Sequence, residues 1–459
     1  MTRLAGAALV TVLMHGTAMA ETLAAAMTSA YNHSGLLEQN RAVLRAADED
    51  VAIAMAALRP TLSWSAQMQR SFGYSKSVQG ASRVNTTETT LALVASYTLF
   101  DFGAGKLALE GAKETVLATR EALISVEQQV LFAAASAFLN VRRAEAIVNL
   151  RENNVRVITT ELRAARDRFE VGEVTRTDVA LAEASLASAR SALAGAQGDL
   201  EIARANYTSV VGHKPGRLQA PGSLPRLPSE QNGQATALQI HPDLRQIQHE
   251  ILAFELAIKE AEAAMKPVIS LSGRLGATDS LNNGTYSRTG SITLGAEGPI
   301  YQGGRLSSLV RKVKAQRDQA RGRLHSTRHG ITQDVSTAYA TLAVAIAGIE
   351  ASERQVRAAQ VAFNGVREEA SLGARTTFDV LQAEQDLLDA RAGLISATID
   401  RHVAAYQVLA ALGLLTAQQL QLDVVQYDPA QYYNLVKTAP TARSKQGQQL
   451  DRVLKSLSK

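Results

Sequence analysis

Residues 61–214 and 300–428 contain no proline, although the chain has ten. Proline in a helix interior costs about 3 kcal/mol, so these two stretches can carry very long helices. Pro60, the cluster Pro215, Pro221, Pro225 and Pro228, then Pro242, Pro267, Pro299, Pro429 and Pro440 mark where they stop. The two stretches are also copies of one another. A constant offset of 201 pairs Phe100 with Tyr301, Gly103 with Gly304, Phe138 with Tyr339, Arg166 with Arg367, Gly172 with Gly373, Thr175 with Thr376, Asp178 with Asp379, Glu183 with Glu384 and Gly212 with Gly413. Upstream the offset becomes 207, so Ala57-Leu58-Arg59-Pro60 matches Ala264-Met265-Lys266-Pro267, and the first copy holds six extra residues between Pro60 and Phe100. The chain is an internal duplication, and its fold must be one unit built twice.

Each copy carries period-two alternation after its matched proline, Pro60 or Pro267. Leu62, Trp64, Ala66 and Met68 alternate with Ser63, Ser65, Gln67 and Gln69, and Leu91, Leu93, Ala95, Tyr97 and Leu99 follow at the same period. In the second copy Ile269, Leu271 and Leu275 alternate with Ser270, Ser272 and Arg274, then Ile292, Leu294 and Ala296 with Ser291 and Thr293. Segments of about ten residues, apolar on one face and polar on the other, are the signature of outer-membrane barrel strands; the alternative is a soluble antiparallel sheet with one face buried. Four strands cannot close a barrel, because single-chain membrane barrels need at least eight and an open edge in lipid strands its backbone groups. The barrel must be shared: three protomers give twelve strands and two give eight.

Heptads follow the strands. Val141, Val148, Val155, Leu162 and Phe169 recur every seven residues, as do Val179, Leu186, Leu193, Leu200 and Tyr207 on the returning segment. Sustained sevens predict a left-handed coiled coil. A second register of Ala182, Ala189, Ala196, Ala203 and Val210 becomes Ala383, Ala390, Ala397, Ala404 and Ala411 in the second copy, which lets antiparallel backbones approach closely. The spacing predicts a helix from about Lys106 to Arg168, a return from Glu173 to Val211, and a helix from Thr22 to Leu58 that stacks end to end with the return. Gly172 and Gly373 fall at the turns, where a left-handed residue ends a helix.

The chain opens on Met1-Thr2-Arg3, an apolar run from Leu4 to about Met14, and Ala18-Met19-Ala20 before Glu21, which reads as a signal peptide. No later segment offers about 18 consecutive apolar residues, so no transmembrane helix is expected. The absence of cysteine removes disulfides, thiolate metal sites and a lipidated N-terminal cysteine. The net charge of +5 is dispersed among acids along helical stretches, which favours solvated faces and no nucleic-acid partner. The expected division is signal peptide 1–20, first repeat 21–212, proline-rich linker 213–236, second repeat 237–413, and a C-terminal segment with a flexible tail, 414–459.

Three motifs sharpen the reading: Arg168-Phe169-Glu170-Val171-Gly172 through Thr177-Asp178-Val179, Gly373-Ala374-Arg375-Thr376-Thr377-Phe378-Asp379-Val380-Leu381, and Pro299-Ile300-Tyr301-Gln302-Gly303-Gly304. Together they resemble the periplasmic tips and strand-to-helix junction of the TolC-like outer-membrane efflux and secretion channels, across essentially the whole mature chain. The resemblance implies a mixed, mainly α fold: long antiparallel coiled-coil helices, plus four strands per protomer in a shared trimeric 12-strand transmembrane β-barrel. The linker and the C-terminal segment would form an equatorial belt. It also implies a homotrimer in the outer-membrane lipid, a periplasmic tunnel, a periplasmic adaptor and an inner-membrane ABC or RND-type transporter, serving type I protein secretion or multidrug efflux. The chain departs from the family pattern at Ser34-Gly35 and His241-Pro242, where Asn-Pro is common, and at Ala370 and Gln382 near the second tip.

On this reading Val171, Gly172, Glu173, Val174, Thr175, Leu372, Gly373, Ala374 and Thr376 form the tips that meet the adaptor. Asp178, Arg375 and Asp379 form a periplasmic gate, with Asp178 of one hairpin facing Arg375 of a neighbour and Asp379 gathered by symmetry into an acidic ring. No catalytic constellation, metal site or cofactor is expected. His325 and His329 have metal-ligand spacing but lack the zincin glutamate between them, and Asp101-Phe102-Gly103 matches a kinase triplet without its companion motifs. The rival class is a periplasmic coiled-coil adaptor or scaffold, for which one hairpin without paired strands would suffice.

Overall fold

The structure is a computed structural model of the chain and describes residues 20–457 except Gln79 and Asn283. The expected signal peptide lies outside the described residues apart from Ala20. Each copy follows the same order: a broken helix, two strands, a very long helix and a return helix. The first copy comprises α1 (Leu23–His33), α2 (Gly35–Ala57), β1 (Thr61–Ser77), β2 (Gly80–Phe100), α3 (Ala104–Glu170) and α4 (Arg176–Val211). The second comprises α5 (Glu230–Ile240), α6 (Pro242–Ala263), β3 (Val268–Ser280), β4 (Thr285–Glu297), α7 (Arg305–Ser371) and α8 (Thr377–Ala411), and α9 (Pro429–Val436) and α10 (Lys445–Leu457) follow.

The helix expected over 22–58 is broken. Ser34 sits in an extended conformation (φ −63°, ψ 107°) between α1 and α2. The break recurs at the equivalent His241, whose ring Nδ1 accepts from the Asp243 N–H at 3.2 Å while Pro242 opens α6. Proline suits the first turn of a helix, where its missing N–H has no partner to lose. α1 lies against the end of α4: Ser29 Oγ donates to the Val211 carbonyl at 3.1 Å, and His33 occupies the space a side chain on Gly212 would need.

Two compact units cut across the duplication, each drawing on both copies. One holds residues up to Gly35, Glu127–Gln234 and Asp334–Val425. Its core contains Phe138 and Tyr207, both fully buried, and the alanine seam expected from the heptads: Ala182, Ala189, Ala196, Ala390 and Ala404 are all buried. The proline-rich segment is strapped on by the Tyr339 hydroxyl donating to the Pro228 carbonyl at 2.7 Å.

The other unit holds Leu36–Val126, Ala235–Gln333 and Gln426–Lys459, and contains the sheet. Strand order is β1-β2-β3-β4, antiparallel throughout. Directly opposed residues share a face, so the register sorts the side chains. Leu62, Ala95, Gly273 and Ile292 form one row, Trp64, Leu93, Leu275 and Gly290 the next, and Tyr97, Leu271 and Leu294 lie alongside. The alternate rows are polar: Thr61, Ser96, Ser272 and Thr293, then Gln67, Thr90, Thr278 and Ser287. The apolar face is open, with Trp64 72% and Ile292 85% exposed, and β1 and β4 are edges. The six extra residues of the first copy lengthen its hairpin: β2 begins pairing with β3 only at Glu88, although it pairs with β1 from Gly80.

The C-terminal segment carries the helices α9 and α10. Tyr432 and Val436 of α9 pack with Ala52 of α2, and the Tyr432 hydroxyl donates to Glu49 Oε1 at 2.7 Å. Arg120 Nη2 donates to the Pro429 carbonyl at 3.3 Å, and its guanidinium lies over the Tyr433 ring. By length and composition α3 and α7 could each cross a membrane. Both helices are 67 residues long, and little of the apolar part of α7 is buried within the chain, which leaves an apolar surface in need of a cover.

Candidate functional site

The α3–α4 and α7–α8 turns are built alike. Gly172 N–H donates to the Phe169 carbonyl at 3.0 Å and Glu173 N–H to that of Arg168 at 2.9 Å; Gly373 N–H donates to Ala370 at 3.2 Å and Ala374 N–H to Glu369 at 2.9 Å. This pair of bonds is the Schellman ending of a helix, which places the turn residue in the left-handed region. Gly172 has φ +82° and Gly373 φ +78°. A Cβ on either would meet nothing within 4 Å, so backbone conformation and not space selects glycine.

The chain re-enters a helix through a capping box at each tip. Thr175 Oγ1 accepts from the Asp178 N–H at 3.3 Å, and Asp178 Oδ2 accepts from the Thr175 N–H at 2.9 Å and its hydroxyl at 2.7 Å. Thr376 and Asp379 repeat this at 3.2, 3.0 and 2.8 Å. The two aspartates expected at the gate therefore also start α4 and α8. Both carboxyls are held below the usual aspartate range, Asp178 first by the Thr175 hydroxyl and Asp379 first by the Thr376 backbone N–H. Arg375 Nε pairs with Glu369 Oε2 of its own hairpin at 2.8 Å.

Two apolar clusters hold the tips together. Ile158, Leu162 and Ala165 of α3 pack with Ala182, Leu186 and Ala189 of α4 and with Leu381 of α8. Phe363 and Ala370 of α7 pack with Val380 and Leu387 of α8 and with Val157 of α3. Arg168 Nη1 reaches from the first hairpin to the Ala370 carbonyl of the second at 3.4 Å. Above this packed head Val171 is 71% and Leu372 81% exposed. Glu173 and Ala374 are also exposed, and Val174 is half-buried.

Sequence reasoning missed the capping boxes, although Thr-x-x-Asp at both tips is a legible signal. It also missed the Arg168 tie and a buried polar pair, Asn154 Nδ2 donating to Glu384 Oε1 at 3.2 Å. The Asp101-Phe102-Gly103 triplet is a helix start: Asp101 accepts from the Gly103 and Gly105 N–H groups at 2.9 and 2.7 Å and caps α3. His325 and His329 stack edge to face on α7, ring centroids 4.5 Å apart.

A mainly helical chain with paired helical hairpins and a two-sided, open-edged four-strand sheet is an outer-membrane channel subunit with a periplasmic tunnel. A family model described as outer membrane efflux protein matches residues 27–213 and 235–414, and the chain belongs to that family. The outer membrane efflux protein BepC of Brucella suis biovar 1 (strain 1330) is 38% identical over 432 residues, 93% of each chain. The outer membrane protein TolC of Escherichia coli (strain K12) is 25% identical over 407 residues, 82% of this chain and 80% of its own. The Campylobacter jejuni CmeC outer membrane channel has the same fold: TM-score 0.77 at 17% identity, covering 91% of this chain and 90% of that one. The chain forms the exit duct of an export system.

Proposed function

We propose that three copies of the chain close a twelve-strand barrel in outer-membrane lipid, and that the tips dock a periplasmic adaptor which links the duct to an inner-membrane ABC or RND-type transporter. The observation that carries this reading is the sheet. Its apolar face suits lipid, its polar face suits an aqueous lumen, and β1 and β4 offer unpaired edges that cannot remain open in a bilayer. Further copies also supply the cover needed by exposed apolar residues of α7 such as Val344, Ile346 and Val361. BepC is named as an efflux protein, which supports efflux as the use of the duct.

At the tips, exposed Val171 and Leu372 offer apolar contacts on a turn fixed by two hydrogen bonds, a surface suited to receive helical hairpins of an adaptor. The gate reading places Arg375, Asp178 and Asp379 of neighbouring hairpins around the constriction. Solvent-facing pairs of this kind are worth only about 0–1 kcal/mol each, so a few can hold a resting constriction that adaptor binding reverses.

The absence of cysteine makes the barrel directly testable. Ser63→Cys on β1, combined in turn with cysteines at 287, 289, 291 and 293 on β4, should give at least one pair that oxidises between copies to a covalent trimer. Failure of every pair, with outer-membrane yield intact, would contradict closure by edge pairing.

A further inference from the structure

The last helix is fixed at the foot of the sheet. Arg59 lies two residues before β1, and its guanidinium donates to the carbonyls of Thr438 and Ala439 at 2.6 and 3.2 Å. Gln446 Nε2 donates to the Leu435 carbonyl at 2.7 Å, and Leu450 packs on the cluster of Ala52, Tyr432 and Val436. A Cβ on Gly447 would clash with the Thr441 carbonyl oxygen, so glycine lets the start of α10 pack against the preceding turn.

Beyond Leu450 the apolar stripe continues through Val453 and Leu454, at the i, i+3, i+4 spacing of one helix face. These two side chains are 37% and 38% exposed. Arg443, Lys445, Arg452 and Lys455 stand against Asp451 alone in residues 441–457, and the helix positions of Lys445, Arg452 and Lys455 lie opposite the apolar stripe. A short helix with one apolar stripe and a strongly basic opposite face is the sequence form of an interfacial helix. The strand end to which it is tied is the one that continues into the helices of the periplasmic tunnel.

We propose that α10 lies on the periplasmic leaflet of the outer membrane, with Val453 and Leu454 in the acyl boundary and its basic residues against the phosphates of anionic phospholipid. The helix would brace the foot of each barrel segment against the bilayer. The inference rests on the reading of the sheet as membrane-inserted.

The full-length protein would be reconstituted in vesicles of phosphatidylcholine alone or with phosphatidylglycerol, carrying a single nitroxide-labelled cysteine at Leu454→Cys, Gln448→Cys or Ile292→Cys. The label at 454 should be shielded from an aqueous nickel quencher in the anionic vesicles and open to it in the neutral ones, with the label at 448 open in both. Each basic residue near an anionic surface changes association by about fivefold, so R443Q/K445Q/R452Q should shift the shielded-to-open ratio at 454 by about a hundredfold. Equal quenching at 454 in both vesicles, with 292 shielded, would overturn the proposal and leave the barrel reading standing. An open label at 292 would overturn both. Binding of the protein to purified peptidoglycan that the triple variant loses, with no lipid effect at 454, would assign α10 to the cell wall and overturn the proposal.

Discussion

At the tips, single residues set the turn and the start of the next helix together. Gly172→Val or Gly373→Val forces a β-branched residue into the left-handed region, at a local cost of about 1–2 kcal/mol. The apolar clusters beneath are untouched, so outer-membrane assembly should persist while export falls, as measured by dye efflux in a strain with its own copy deleted. Loss of assembly would mean that the glycines only end helices. Arg375→Ala removes a side chain that pairs with Glu369 and caps nothing, so single-channel conductance in planar bilayers should rise with no change in melting temperature. Asp178→Ala should raise conductance too, but with a loss of about 1 kcal/mol from the unmade helix cap. Wild-type conductance in the Arg375→Ala/Asp178→Ala double variant would show that these charges do not narrow the duct. Both aspartates have carboxyl groups depressed in the folded chain. Their capping contribution is present above the ordinary value of 3.8 and is lost as pH falls through the lower folded value.

Within the elements, buried carboxylates work in the opposite direction. Asp48 of α2 is fully buried, and neither carboxylate oxygen meets a hydrogen-bond donor among the described residues. Burial raises its pKa to about 6, Arg120 of α3 opposes that rise and Glu49 adds to it. A raised carboxyl stabilises the fold below its unfolded value of 3.8, and that contribution is lost as pH rises to about 6. Asp48→Asn should therefore melt higher than wild type at pH 7.5, with the difference vanishing toward pH 4. A difference independent of pH would refute this account. Glu384 is raised in the same sense by burial, so Glu384→Gln, which keeps an acceptor for Asn154, should at least preserve stability at neutral pH. These positions also show what a sequence conceals. Glu183 and Glu384 are equivalent in the duplication, yet Glu183 pairs with Arg166 on the surface at 2.5 Å while Glu384 is buried. The strands, heptads and turn glycines were legible because each follows from a period or a backbone requirement. The break at Ser34 was not, because neither Ser34 nor Gly35 forbids a helix and tertiary packing of α1 on α4 decides it. The folding of α9 depends on Arg120 and Glu49, hundreds of residues earlier, a pairing no local pattern announces.

For the whole molecule, the duplication supplies two hairpins and two strand pairs, and the sheet joins the strand pairs through β2 and β3. Edges remain at β1 and β4, so in the proposed trimer the chain carries a third of a barrel and requires its copies. The extra residues of the first copy lengthen only the β1–β2 hairpin, so repetition around a threefold axis would alternate long and short hairpins at the barrel rim. The measurement closest to the central claim is the mass of the protein extracted in detergent from outer membranes, taken by native mass spectrometry before and after heating. The account predicts three mature chains that dissociate on heating and that form channels in planar bilayers while intact. A stable membrane-inserted monomer, or recovery of the chain as a soluble periplasmic protein, would contradict it.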